Sequence, residues 1–173
     1  VKKGQVARPA VVGVVGGGSA DEPLLSLAED LGRQIAKKGF VLMTGGGAGV
    51  MEAVSRGASE AGGLVIGILP SDRNHPIKGY PNEYVNIPIY TGLSDARNVI
   101  ISKSPDVIVA LGGGYGTISE IAIALKGLIP VIAISCSENN IFRDDEHFIV
   151  VGSVRDVMDQ ILRVIENPKK LHK

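Results

Sequence analysis

Two apolar patterns alternate along the chain. Short β-branched runs read as buried strands, and between them apolar positions recur at helical spacing. Val11–Val15, Phe40–Met43 and Leu64–Leu69 are runs of the first kind. Pro23–Lys38 places Leu24, Leu27, Ala28, Leu31 and Ile35 on one stripe, with Pro23 suited to a first helical turn and Gly39 to a stop. Val50–Ala61 turns Ala53, Val54 and Ala58 inward before Gly62-Gly63 ends it. Three strands joined by two helices form consecutive βαβ units with right-handed crossovers, hence a parallel sheet.

The second half continues the alternation after a break. Pro70–Asn82 is a long polar loop, read equally well as a binding loop or as a solvated crossover. Tyr84–Ile89 predicts a short strand, and Gly92–Ser104 a helix that stops before Pro105. Val107–Leu111 is a strand, followed by a glycine break and a helix to Lys126. Pro130–Ile134 is another strand, Glu138–Glu146 a polar loop and Phe148–Val151 a last short strand. Ser153–Glu166 closes the chain as a helix with Val154, Val157, Met158, Ile161, Leu162 and Ile165 as its core face. The expectation is an α/β fold: one doubly wound domain over residues 10–173, with a mainly parallel sheet of six to seven strands. A short basic tail precedes it at residues 1–9.

Composition narrows the function. The 18 basic and 18 acidic residues cancel, which leaves no basic footprint for nucleic acid. Aromatic residues are 4% and Trp is absent, so base-stacking platforms are poorly supplied. No run is long enough to span a bilayer and no signal peptide is visible, which suggests a cytoplasmic protein without a membrane partner. The single Cys136 excludes an intramolecular disulfide and reads as a small, partly buried thiol. His75, His147 and His172 are far apart and lack metal-ligand spacing, so no metal is expected.

Three strands end in glycine clusters: Gly16-Gly17-Gly18, Gly45-Gly46-Gly47-Ala48-Gly49 and Gly112-Gly113-Gly114-Tyr115-Gly116. A strand, a glycine loop and a helix N-terminus present free N–H groups to an anion, phosphate above all. All three clusters fall at the carboxyl edge of the expected sheet, where open α/β folds bind ligands. The dinucleotide pattern is not met: Gly16-Gly17-Gly18-Ser19-Ala20-Asp21 lacks the last glycine, and Thr44 ends the second strand where a carboxylate is needed. No glycine cluster is followed by Lys-Ser or Lys-Thr, so there is no P-loop.

Individual residues carry competing readings. Leu93, Arg97, Ile100 and Ile101 share a face on a helix, and an arginine there needs an anion, either a phosphate or an internal carboxylate. Thr117 and Glu120 have the spacing of a capping box, which sets a structural role for Glu120 beside that of a carboxylate at the crevice mouth. Glu52 has a similar place after the second loop, preceded by Met51. Tyr115 either covers a base or shields its loop. Ser19 and Asp21 either cap the first helix or, for Ser19, donate to a phosphate.

At these residues the chain resembles the Lonely Guy superfamily of Rossmann-like proteins, long mislabelled lysine decarboxylases. The family's Gly-Gly-x-Gly-Thr-x-x-Glu is Gly113 to Glu120 here, and its Gly-Gly-Gly-x-Gly-x-Met-Glu-Ala is Gly45 to Ala53. Its helix arginine is matched by Arg97. The resemblance covers roughly residues 10 to 166. It implies a Rossmann-like domain, a homodimer or larger homo-oligomer, and a phosphorylated small molecule as partner.

Two activities follow from the resemblance. Phosphoribohydrolase members split nucleoside 5′-monophosphates into base and ribose 5-phosphate, with Arg97 and Glu120 at the positions of their catalytic pair and no metal or organic cofactor required. Molybdenum-cofactor carriers bind a phosphorylated, molybdopterin-type ligand without turning it over. Gly92-Leu93-Ser94-Asp95-Ala96-Arg97 looks more like the carriers, and Arg97-Asn98 and Gly112 stand where hydrolases usually have Arg-Lys and proline. Either ligand would lie on Gly17, Gly18, Ser19, Gly45, Gly46, Gly47, Gly49, Met51, Glu52, Arg97, Gly113, Gly114, Tyr115, Gly116 and Thr117. No pyridoxal-phosphate site supports the decarboxylase label, since Lys103 and Lys126 fall at helix ends.

Overall fold

The computed structural model describes residues 8–135 and 141–166. Most of the expected basic tail (residues 1–7), Cys136, the start of the polar loop at 138–140, and His172 lie outside the described residues.

Seven parallel strands form one sheet in the order β4-β3-β2-β1-β5-β6-β7. They are β1 (Val11–Gly16), β2 (Val41–Thr44), β3 (Val65–Leu69), β4 (Ile87–Tyr90), β5 (Val107–Leu111), β6 (Val131–Ile134) and β7 (Phe148–Val150). The helices are α1 (Glu22–Lys37), α2 (Val50–Glu60), α3 (Asn98–Lys103), α4 (Tyr115–Lys126) and α5 (Val154–Glu166). This is the Rossmann-like α/β architecture that the alternation predicts.

β5 shows how the residues divide the core. Every residue of it is buried, as a strand covered on both faces requires. Val107, Val109 and Leu111 pack with α1, α2 and α5, while Ile108 and Ala110 pack with α3 and α4 on the other face. That is the two-residue period of a strand. On the first face α1 and α2 touch backbone to backbone. A Cβ on Gly32 would stand 2.0 Å from Val54 O, and one on Gly57 1.9 Å from Glu29 O. Only glycine permits that approach.

Local chemistry sets the helix ends. Asp21, not Ser19, caps α1: its Oδ1 accepts from Leu24 N at 3.2 Å, with Pro23 in the first turn. Gly39, at φ +75°, ends the turn after α1.

Three expectations are corrected. The helix over 92–104 is a 3₁₀ turn at Ser94–Arg97 followed by the short α3. Gly92 and Ser94 have positive φ, and Ser94 N bonds Pro70 O, so the chain wraps around the end of β3 before it can coil. Leu93 is therefore 49% exposed, and Arg97 does not share a continuous helical stripe with it. The strand expected at Tyr84–Ile89 begins at Ile87, because Tyr84 N bonds Asn82 Oδ1 and Asn86 Oδ1 accepts from Val65 N. The capping box at Thr117 and Glu120 does not form. α4 begins three residues earlier, with Gly114 as its cap and no side-chain cap bond. Thr117 is buried beneath Gly113, whose φ of +120° turns the chain sharply into the helix.

Candidate functional site

The strand order reverses between β1 and β5, where Gly16 and Leu111 are in register. A crevice outside the strand ends at this switch point is where such folds hold ligands. A cleft of about 250 Å³ lies there. Its walls come from Val14 to Gly18 of the first loop, Gly45 and Met51 of the second, Asp95, Arg97 and Asn98, and Gly114, Gly116, Thr117 and Glu120. A larger hollow of about 480 Å³ lies among Arg8, Pro105, Asp106, Leu128 and Pro130. Its one carboxylate is already taken: Asp106 Oδ2 accepts from Arg8 Nη1 at 3.0 Å and Val11 N at 2.8 Å. The smaller cleft gathers Arg97, Glu120 and residues of all three glycine loops.

Arg97 is anchored to main chain. Its Nη1 donates to Gly45 O and Ile68 O, at 2.5 Å each, across the ends of β2 and β3. Two of the five guanidinium N–H groups are thereby used, leaving those of Nε and Nη2. Gly45 makes this possible, since a Cβ there would meet Arg97 Nη1 at 2.6 Å and Met51 Sδ at 2.7 Å.

Facing it is the start of α4. Ile118 N closes the first helical bond, on Gly114 O at 3.0 Å. The N–H groups before it have no intrahelical acceptor and lie at the positive end of the helix. A Cβ on Gly114, Gly116 or Gly18 would meet nothing within 4 Å, so these glycines border open space. The arrangement is an anion cradle: N–H groups on one side, a fixed guanidinium on the other.

Glu120 lies deeper, at 8% exposure. Burial pushes its carboxyl up to about 7, against the opposing pull of the Arg97 charge. Among the described residues its carboxylate makes no hydrogen bond and no direct ion pair. A cleft-lining carboxyl poised near neutrality can hold a proton or a positive charge.

The loops brace one another. Val50 N donates to Gly17 O at 3.0 Å, and a Cβ on Gly49 would stand 2.5–2.6 Å from the backbone of Gly17 and Gly18. Asn98 Nδ2 donates to Ser119 Oγ at 3.0 Å, and Ser119 Oγ donates to Gly116 O at 2.7 Å.

Of the residues the sequence singles out, Gly17, Gly18, Gly45, Met51, Arg97, Gly114, Gly116, Thr117 and Glu120 come together around the cleft. Ser19, Gly46, Gly47, Gly49, Glu52, Gly113 and Tyr115 are not in its lining. Glu52 instead pairs with Arg56 at 3.6 Å, and Tyr115 stands 92% exposed at the tip of the third loop. The lining also includes Gly16 of the first cluster, and Val14, Val15, Asp95 and Asn98, which the sequence does not single out as site residues. Val14 and Val15 look like ordinary core residues in the sequence, whereas Asp95 and Asn98 were within reach as close neighbours of Arg97.

The fold is that of a Rossmann-like protein, with a cleft lined by hydrogen-bond donors at its switch point. The chain belongs to the SLOG cluster4 family, whose model matches residues 9–160, within a Lonely Guy-like superfamily that includes carriers. A molybdenum cofactor binding protein from Rippkaea orientalis is similar, at 39% identity and a TM-score of 0.82, covering 92% of this chain and 99% of that one. The molybdenum cofactor carrier protein of Chlamydomonas reinhardtii has 36% identity and a TM-score of 0.81, with the same coverage. A probable cytokinin riboside 5′-monophosphate phosphoribohydrolase of Oryza sativa is 32% identical over 99 residues, 54% of this chain and 38% of that protein. The match therefore spans well under half the length of that relative.

Proposed function

We propose that the cleft binds the phosphate of a phosphorylated, nucleotide-like ligand, and that the protein is a carrier for a molybdopterin-type cofactor. The observation that carries this is the backbone-anchored Arg97 opposite the free N-terminal N–H groups of α4. The residues fit the phosphate end of such a ligand: an oxyanion placed between them meets donors on both sides. The cleft, at about 250 Å³, is small beside most cofactor sites, so it suits the phosphate and the group next to it while the heterocycle extends outward. Full-length similarity to molybdenum cofactor binding proteins supports the carrier role. So does Asn98, a neutral amide bonded to Ser119 where hydrolases of the superfamily usually have lysine. Any molybdenum is then part of the cargo, held by the pterin; among the described residues no cluster of His, Cys, Asp or Glu would bind it directly.

The test is calorimetric titration of the purified protein with molybdopterin and its molybdenum form. Saturable binding that Arg97→Ala abolishes supports the proposal; no saturable binding refutes the carrier role.

Glu120 favours a second reading, N-glycosidic hydrolysis of nucleoside 5′-monophosphates. Cleavage of the C1′–N bond sends its electrons to the base and leaves an oxocarbenium-like sugar. Ionised Glu120 would stabilise that charge and take a proton from the water that adds at C1′; the departing base takes up a proton from solvent, and Glu120 returns its own to solvent. Ribose 5-phosphate release from a panel of nucleoside monophosphates is the assay. Release no greater than that of Arg97→Ala and Glu120→Ala controls sinks this reading.

The proposal treats residues 10–173 as one binding unit that works as a homodimer or larger homo-oligomer. The apolar Ile87, Ile89, Leu93 and Val99, 42–49% exposed, supply surface for self-association. Light scattering after size exclusion tests it, and a monomer across the micromolar range counts against it.

A further inference from the structure

The segment between β3 and β4 leaves the sheet at Pro70 and returns to lie on the second glycine loop. Asn82 N donates to Gly46 O, and Asn82 Nδ2 to Gly47 O, both at 2.8 Å. These bonds hold Tyr80, two residues earlier. Its ring edge lies directly on Gly47, where a Cβ would stand 2.8 Å from Cε1, Cζ and Oη. The guanidinium carbon of Arg97 is 5.5 Å from the centroid of the same ring. Tyr80 does not line the cleft; among the described residues it touches a cleft-lining side chain at Arg97.

We propose that Tyr80 is a positioning residue for Arg97, an inference that rests on reading Arg97 as the anion clamp. Two carbonyl bonds fix Nη1 but leave the rest of the guanidinium able to swing about that nitrogen. An aromatic ring against the guanidinium restrains the swing and keeps Nε and Nη2 directed at the ligand. The ring does this, not the hydroxyl: among the described residues Tyr80 Oη makes no hydrogen bond. Gly47 acquires a role in the same step. It is the slot that admits the ring, which explains a glycine in the second loop that borders no cleft space.

Tyr80→Phe and Tyr80→Leu test the proposal, with circular dichroism confirming that both fold. The first readout needs no ligand. The Arg97 Nε–H resonance, assigned by its loss in Arg97→Lys, is ring-shifted and slow to exchange in the native protein and in Tyr80→Phe. In Tyr80→Leu it loses the shift and broadens. The second readout is calorimetric titration with AMP: Tyr80→Phe stays within about twofold of native, while Tyr80→Leu weakens binding about tenfold. In an Arg97→Ala background, Tyr80→Leu adds nothing. An unchanged Arg97 resonance in Tyr80→Leu overturns the proposal, as does a Tyr80→Leu effect that persists undiminished without Arg97. If native protein and Arg97→Ala handle AMP alike, the clamp reading falls, and the resonance still decides whether Tyr80 positions Arg97.

Discussion

Asn98 Nδ2 donates to Ser119 Oγ at 3.0 Å and so ties the turn bearing Arg97 to the first turns of α4. The Ser119 hydroxyl passes the connection on to Gly116 O. The two sides of the anion cradle are thus held in register by one side-chain relay. Asn98→Ala removes the donor and frees the third glycine loop to drift. The expected loss is about 1 kcal/mol of stability, the usual worth of one such bond. AMP affinity should fall further than that loss alone suggests, by about tenfold, because both sides of the cradle shift. Thermal melts and calorimetry on the same samples check both.

Gly114 separates binding from folding. Its φ of −135° lies outside the left-handed region, and a Cβ there would touch nothing within 4 Å. Gly114→Val should melt within a few degrees of native, as surface substitutions with no steric conflict generally do. The two added methyl groups project toward space the phosphate would use, and titration with AMP or molybdopterin should then show no saturable binding. Unaltered affinity would mean that the anion lies elsewhere.

Glu120 gives the protein a pH dependence of definite sign. Its folded-state carboxyl titrates at about 7, against an ordinary value of 4.5. Between those values the folded chain binds more protons than the unfolded one, so stability falls as pH rises from 4.5 to about 7 and then levels off. The full loss is about 3 kcal/mol. Glu120→Gln should flatten this slope, which urea melts at pH 5 and pH 8 will show. Ligand binding follows the same logic: a phosphate beside Glu120 favours the protonated form, so affinity declines as pH rises through 7 in native protein and more weakly in Glu120→Gln. If the protein hydrolyses nucleotides, turnover instead rises over that interval, because the ionised carboxylate is the active form.

Gly57→Ala probes the far side of the sheet. The new methyl would overlap Glu29 O, at 1.9 Å from its carbon, and α1 and α2 must part to admit it. The expected cost is about 1–3 kcal/mol, typical of an overpacked core, and appears as a lower melting temperature.

Much of the fold was legible because strand and helix periods are distinct and the glycines punctuate them. Val107–Leu111 appears in the structure with the boundaries read from its β-branched run. Residues of all three glycine clusters do meet at one cleft outside the strand ends. Legibility failed where a tertiary bond overrides local preference. Ser94 reads as helical but is held by Pro70 O, and Tyr84 reads as strand but is turned by Asn82. Thr117 and Glu120 match a cap in spacing, yet Gly113 and Gly114 start the helix earlier and leave Glu120 facing the cleft. The roles of individual glycines were not legible at all. Gly45 makes room for Arg97, Gly47 for Tyr80 and Gly49 for the first loop, whereas Gly18, Gly114 and Gly116 of the same clusters border open space. Those differences depend on neighbours distant in sequence.

The bare contact between α1 and α2 has a mechanical consequence. With Gly32 and Gly57 seated on opposing backbone, no side chains lie between the two helices there to absorb a displacement. The helices behave as one slab. Each hangs from a glycine loop at its amino end, and those loops already touch through Gly49 and Gly17. A wedge driven between the helices at Gly57 is therefore transmitted as a tilt to the rim of the cleft. The shape of the cleft rim thereby depends on a position that does not line the cleft.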